Sequence, residues 1–187
     1  MRQFLAVELP AERRAAMVAA RRVLSDQEPS WRWVDIGGLH LTLRFLGEVG
    51  EELDARSRPV WRRAAATSAV FAARIAGSGT FPVRGEARVL WAGVEDDPPG
   101  SAARLAGAVE SAARTLGFEP QRRRFRPHIT LARARRGRRP TRPATELAVS
   151  RSSFTVSEVV LFRSELLPAG ARYTALERFS LGGGEES

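Results

Sequence analysis

The sequence predicts an α+β fold built from two similar lobes that share one core and face each other across a cleft. Two observations support this prediction. A strand, a helix and a histidine-containing strand follow one another twice, with 35 positions from Leu5 to His40 and 38 from Leu90 to His128. Each repeat is also too short to bury a sufficient core alone, so the two are expected to share one.

In the first half, an apolar run that ends at Pro10 predicts a buried strand over Gln3–Leu9. Proline is tolerated in the first turn of a helix, and the composition after it predicts a helix over Ala11–Leu24. The half continues with a short extended segment at Trp31–Val34, an alternating strand at Leu39–Val49 and a helix at Glu51–Ala66. Pro59 is expected to break or kink this second helix.

In the second half, a helix over Ser101–Leu116 is the best defined element. It carries an apolar stripe at helical spacing and is followed by Gly117, a typical C-terminal stop. The stripe consists of Leu105, Ala108, Val109, Ala112 and Leu116. The predicted strands are Ala72–Gly79, Ala87–Val94, His128–Ala132, Phe154–Leu167 and Ala171–Leu181, with a loop at residues 96–100.

We assign the whole chain, 1–187, to a single domain of two pseudo-symmetric lobes. The first lobe comprises about residues 1–85 together with the closing C-terminal strands, and the second about residues 86–150.

The composition excludes several classes of chemistry. The chain has no cysteine, which excludes disulfide scaffolds, thiolate zinc sites, cysteine nucleophiles and iron–sulfur clusters. It also has no lysine, so a P-loop lysine, a Schiff base and a lysine general base are excluded. No segment is apolar for long enough to span a bilayer, and the N-terminal run is too short and too charged for a signal peptide. We therefore expect a cytoplasmic monomer with no membrane association and no obligate protein partner.

The positive charge of the chain is concentrated in one segment. The net charge is +9, and residues 120–145 contain ten arginines and no acidic residue, which leaves 20 arginines against 21 acidic residues elsewhere. A GC-rich genome would explain why the basic residues are all arginine, but it does not explain their clustering. The segment is either a solvated basic loop or an anion-binding surface that suits a polyphosphate chain such as RNA.

The only two histidines of the chain occupy the same motif, His40-Leu41-Thr42-Leu43 and His128-Ile129-Thr130-Leu131. Alternate residues of a strand share a face, so each histidine points with its threonine while the aliphatic residues point to a core. If the lobes are related by a pseudo-two-fold axis, two imidazoles and two hydroxyls meet in one cleft.

Two histidines on opposite sides of a phosphorus atom can act as an acid–base pair. One takes a proton from an attacking hydroxyl or water, and the other gives a proton to the leaving oxygen. Thr42 and Thr130 can donate to phosphoryl oxygens where charge develops. This chemistry requires no metal and no cofactor, and the near-symmetry of the motifs leaves open which histidine is the acid.

Paired H-x-T-x motifs in a duplicated chain resemble the 2H phosphoesterases. The flanks LHLTLRFLGEV and FRPHITLAR, with the start RQFLAVELP, resemble the RNA 2′,3′-cyclic phosphodiesterases, also called 2′-5′ RNA ligases. The resemblance implies two antiparallel sheets that flank a central cleft, with helices outside. It implies hydrolysis of RNA 2′,3′-cyclic phosphate ends to 2′-phosphates, with His40 as proton donor and His128 as proton acceptor. It also implies ATP-independent 2′-5′ ligation when a 5′-hydroxyl replaces water.

Three arginines are candidates for substrate binding. The family often carries a basic residue at the position of Arg133, but regular strand alternation turns Arg133 away from His128 unless a bulge intervenes. The same alternation places Arg44 and Arg126 on the histidine face. Phe45 and Phe125 are assigned to the core, with base stacking as the alternative.

Two other functions remain as alternatives at this point. The chain could be an RNA-binding module with an inactive cleft, or a cyclic phosphodiesterase that acts on a small nucleotide. The arginine-rich segment favours a polymer substrate, and the presence of both complete motifs favours an enzyme.

Overall fold

A computed structural model describes residues 1–25, 30–140, 153–167 and 170–182. Within these ranges the chain forms nine strands, three α-helices and one short 3-10 helix. The strands are β1 Arg2–Glu8, β2 Trp31–Trp33, β3 His40–Glu48, β4 Phe71–Phe81, β5 Val89–Asp97, β6 His128–Ala134, β7 Phe154–Val156, β8 Glu158–Leu167 and β9 Gly170–Ser180. The helices are α1 Ala11–Ser25, α2 Glu51–Ala66 and α3 Ser101–Thr115, and the 3-10 helix is Ile36–Gly38.

All nine strands join one antiparallel sheet in the order β7-β4-β5-β6-β3-β1-β8-β9, and β2 also pairs with β6. The two sheets expected from the sequence are the halves of this sheet, and they meet where β3 pairs with β6 through Leu41 and Ile129. The α+β class is confirmed. Strand β4 pairs with β5 and β7, so it belongs to the same half as β6.

The main core lies on the face of the sheet that the helices cover. Leu41 and Ile129 pack there with Trp61 of α2 and Leu105 of α3, and all four are almost fully buried. The opposite face, which we call the cleft face, carries a smaller apolar cluster. That cluster consists of Phe4, Ala6, Val160 and Phe162, with Tyr173 packed against it.

Local interactions explain where helix α3 begins. Gly100 has a φ of 87°, a left-handed conformation that glycine adopts without strain. The Asp96 carboxylate accepts hydrogen bonds from the backbone N–H of Gly100 at 3.1 Å and of Ala102 at 2.6 Å. These bonds satisfy N–H groups that have no partner within the helix. The predicted apolar stripe of α3 is confirmed at Leu105, Val109 and Ala112, which are buried.

The helix predicted over Glu51–Ala66 is confirmed, and it is not broken at Pro59. One predicted element differs from the structure. The strand predicted over Phe154–Leu167 is divided in two, because β7 pairs with β4 whereas β8 pairs with β1. The chain therefore crosses from one half of the sheet to the other at Ser157, which no local feature of the sequence indicated.

Candidate active site

The two histidine motifs begin the two strands that meet at the centre of the sheet. Since β3 and β6 run antiparallel around the pair Leu41–Ile129, His40 lies level with Thr130, and Thr42 lies level with His128. The aliphatic residues between them point to the main core, so all four polar side chains share the cleft face. Diagonal neighbours on paired strands are about 7–8 Å apart, which leaves room for a phosphoryl group between the two imidazoles.

The same backbone contact orients both imidazole rings. Nδ1 of His40 lies 2.7 Å from the carbonyl oxygen of Gly38, and Nδ1 of His128 lies 2.6 Å from that of Arg126. A carbonyl oxygen only accepts, so Nδ1 carries the hydrogen in each ring. Nε2 of each histidine is consequently the atom that can exchange a proton with a substrate.

Aromatic side chains surround each histidine. The ring centroid of His40 is 4.7 Å from that of Phe4, 5.1 Å from that of Tyr173 and 6.1 Å from that of Phe162. His128 lies 5.1 Å from Phe81 and 6.4 Å from Trp91. No motif in the sequence marked these rings, because they come from strands distant along the chain.

Gly38 is also part of the His40 environment. A Cβ atom at this position would lie 2.9 Å from the ring of Tyr173, closer than van der Waals contact allows. Because residue 38 is a glycine, its carbonyl can bind His40 while the Tyr173 ring packs against the same residue and against His40.

Burial lowers the pKa of His40 from its usual 6.5 to about 4. The hydrogen bond to the Gly38 carbonyl opposes this shift, as does the charge of Glu8, whereas the charges of Arg133 and His128 contribute to it. His40 is thus neutral at pH 7 in the free protein, with an unprotonated Nε2.

A β-bulge at the last residue of each motif changes which of the following residues face the cleft. In β3, Thr42 pairs with Ala6 and Arg44 with Leu5, so Leu43 is an extra residue. In β6, Thr130 pairs with Trp91 and Ala132 with Leu90, so Leu131 is extra. A bulge of this kind shifts the alternation of side chains by one residue. The two bulges occupy the same position of the duplicated motif.

The bulge in β6 brings Arg133 to the cleft face, as the resemblance required. Leu131 and Ala132 are both buried, and Arg133, the next residue, is exposed. Its positive charge contributes to the lowered pKa of His40.

The bulge in β3 makes two assignments wrong. Arg44 does not face the cleft: it is 4% exposed and forms a 2.5 Å ion pair with Glu110 of α3. It also donates to the backbone carbonyl of Glu119 at 2.5 Å. Phe45 is not a core residue, because it is 58% exposed on the cleft face, 5.7 Å from the ring of Phe4. Phe125 is half-buried against the main core, as expected.

Most of the arginine-rich segment is described and exposed. Arg122, Arg123, Arg124 and Arg126 precede β6 and are all exposed, and Arg126 supplies the carbonyl that holds His128. Arg139 forms an ion pair with Glu86 at 2.9 Å. Arg142 lies outside the described residues, together with the rest of 141–152.

The described residues lack two features, a metal-binding cluster and a membrane-spanning helix. They contain no cluster of three or more histidine, cysteine, aspartate or glutamate residues that could hold a metal ion. Their helices include none that is long and apolar enough to cross a membrane.

Comparison with known proteins assigns the chain to a family through a match that covers most of its length and both histidine motifs. The sequence profile of the LigT-like phosphoesterases matches residues 7–91 and 93–173, which include both histidine motifs. The chain belongs to this family. A protein of Thermus thermophilus named RNA 2′,3′-cyclic phosphodiesterase is 39% identical over 98% of this chain and 91% of its own length.

Solved structures of similar proteins superpose on nearly the whole chain. A crystal structure of the protein TT0787 from Thermus thermophilus superposes with a TM-score of 0.85 at 37% identity, and covers 98% of this chain and 100% of its own. Escherichia coli LigT in complex with 3′-AMP superposes with a TM-score of 0.76 at 32% identity, covering 96% of this chain and 97% of its own. The recognition of a 2H phosphoesterase is confirmed.

Proposed function

We propose that this LigT-like phosphoesterase hydrolyses the 2′,3′-cyclic phosphate ends of RNA to 2′-phosphates. The observation that carries the proposal is the arrangement of His40, Thr130, Thr42 and His128 on one face of two paired strands. The name of the Thermus thermophilus relative and the 3′-AMP bound to Escherichia coli LigT support a nucleotide substrate. The exposed arginines beside His128 support an RNA chain.

In the proposed reaction, water attacks the cyclic phosphorus while Nε2 of His128 takes the proton from the water oxygen. The bond from phosphorus to the 3′ oxygen breaks, and Nε2 of protonated His40 gives a proton to that oxygen. The products are a 2′-phosphate and a 3′-hydroxyl. The hydroxyls of Thr42 and Thr130 donate to the two non-bridging oxygens, where negative charge grows in the transition state.

His40 has to take up a proton from the solvent when the substrate binds, since this histidine is neutral at pH 7 in the free protein and the cyclic phosphate, an anion at this pH, carries none. A bound phosphoryl anion stabilises the imidazolium directly and offsets the charge of Arg133. By linkage, the phosphoryl group binds more tightly to the protonated form of His40.

We expect His40 to titrate near pH 4 in the free protein, and to titrate at a higher pH when inorganic phosphate is bound. The measurement is an NMR titration of the imidazole resonances with and without phosphate. The His128→Gln variant assigns the signals, because the chain contains only two histidines. A His40 pKa that stays near 4 with phosphate bound would mean that His40 is not the proton donor.

A direct test of the activity is to supply an oligoribonucleotide with a 2′,3′-cyclic phosphate end, in the presence of EDTA, and to identify the product. The expected product is the 2′-phosphate, formed at the same rate with and without the chelator. Binding without turnover would favour the inactive RNA-binding module, and a 3′-phosphate product would contradict the proposed bond cleavage. Turnover of cyclic mononucleotides alone would favour the small-nucleotide enzyme.

The same geometry supports the formation of a 2′-5′ linkage. An RNA 5′-hydroxyl in the position of the attacking water would lose its proton to His128 and form the new ester bond without ATP. Adding an acceptor RNA with a 5′-hydroxyl to the assay above tests this second activity.

A further inference from the structure

Two arginines lie directly opposite each other beside the catalytic centre. Strand β2 pairs with β6 so that Arg32 faces Arg133, with Trp31 opposite Ala134 and Trp33 opposite Ala132. Side chains directly opposite on paired strands are about 4.5–5.5 Å apart at Cβ, and like charges at this distance destabilise a sheet. Within the described part of the chain, no salt bridge offsets either charge.

Both arginines face the cleft. Trp31 is buried in the main core and Trp33 packs against it, so Arg32 between them points to the opposite face. That face is the one to which the bulge in β6 turns Arg133. Arg32 and Arg133 are both exposed and form a concentrated positive patch on the cleft face.

The patch lies at the His40 end of the catalytic arrangement. Along β6, Arg133 follows Thr130, which is level with His40, whereas His128 lies at the other end of the motif. The effect of the Arg133 charge on the pKa of His40 agrees with this order. Arg32 continues the patch on the neighbouring strand.

In-line attack requires the attacking and leaving oxygens to lie on opposite sides of the phosphorus, and this decides which part of the RNA lies at the His40 end. The attacking water is activated by His128, and the leaving 3′ oxygen is protonated by His40 on the opposite side of the phosphorus. The ribose that keeps the 3′ oxygen therefore lies on the His40 side. The next anion along the RNA is the phosphodiester attached to the 5′ oxygen of the same ribose.

We infer that Arg32 binds the internucleotide phosphate immediately upstream of the cyclic end, next to Arg133, and so favours oligonucleotides over cyclic mononucleotides. This inference rests on the proposed function. It assigns to Arg32 a binding role that neither the histidine motifs nor their flanks indicate. An anion between the two guanidinium groups would also relieve their mutual repulsion.

The test compares three substrates with the Arg32→Gln variant. A cyclic mononucleotide has no upstream phosphate, a dinucleotide with a cyclic end has one, and a dinucleotide with a methylphosphonate linkage has an uncharged equivalent. Arg32→Gln is expected to raise KM for the charged dinucleotide by about tenfold or more, the usual effect of losing one charge-assisted hydrogen bond. Its KM for the other two substrates should change less than twofold.

Arg56→Gln is the matched control, because Arg56 is exposed on α2, away from the cleft. It should leave KM unchanged for all three substrates. An equal change for the mononucleotide and the dinucleotide, or no change for either, would overturn the inference. If the wild-type protein hydrolyses none of the three substrates, the proposed function fails instead, so the two failures are distinguishable.

Discussion

Replacing either His40 or His128 with alanine is expected to lower kcat for the hydrolysis of an RNA 2′,3′-cyclic phosphate by about 100- to 10,000-fold. Each imidazole transfers a proton in the same transition state. Without His128 the attacking water has no base, and without His40 the leaving 3′ oxygen has no acid. The double variant should be little slower than the slower single variant, because the two groups act as a unit. The measurement is single-turnover kinetics on a cyclic-ended oligonucleotide.

Folding has to be separated from catalysis in this experiment. His40 packs among Phe4, Phe162 and Tyr173, so alanine leaves a gap there, whereas His40→Gln retains much of the volume. Thermal unfolding of each variant shows whether the fold is intact. If a folded variant of either position retains more than a tenth of the wild-type rate, the paired-histidine mechanism is wrong.

Replacing Arg44 with alanine is expected to lower the free energy of unfolding by about 3 kcal/mol, the lower end of the range for breaking a buried ion pair, because Arg44 is buried but the Glu110 carboxylate is partly exposed. The variant leaves the Glu110 carboxylate and the Glu119 carbonyl without the guanidinium that binds them. The matched control is Arg74→Ala, which removes an exposed ion pair with Glu95 and should cost less than about 1 kcal/mol. Denaturant unfolding measures both variants.

The kinetics of the Arg44 variant distinguish two placements of this side chain: on the cleft face, as simple strand alternation predicts, and buried against α3, as in the structure. Alternation predicts a substrate-side arginine, whose loss would raise KM and leave stability nearly unchanged. The structure predicts the reverse, with KM within about twofold of the wild type under conditions where the variant is folded. A large increase in KM without a loss of stability would show that Arg44 faces the cleft.

The elements that carry the site followed from local patterns. The alternation after Gly38 predicted the strand that begins at His40, and the apolar stripe of α3 predicted the helix that covers the core. Both depend on short-range periodicity, which a sequence displays directly. The repeat predicted that the two motifs meet in one cleft, since a pseudo-two-fold axis relates equivalent strands. That the two motif strands pair directly in a single sheet was not predicted.

The positions after each motif could not be predicted in this way. An extra residue in a strand is defined only relative to its partner strand, so nothing in the sequence near Leu43 or Leu131 reveals a bulge. A shift of one residue exchanges the two faces of a strand. For this reason Arg44 and Phe45 were assigned to the wrong faces, and Arg133 could be placed only through the resemblance.

The sequence by itself determined the residues on which the proposed chemistry depends: two histidines, each with a threonine two residues later on a strand, in a chain without cysteine or lysine. Those residue types at that spacing share a face of any regular strand, because the period of a strand is two. The tertiary structure alone decided what surrounds them. Pairing between distant strands set the bulges, the aromatic neighbours and the opposition of Arg32 and Arg133, since each of these depends on contacts that no single segment contains.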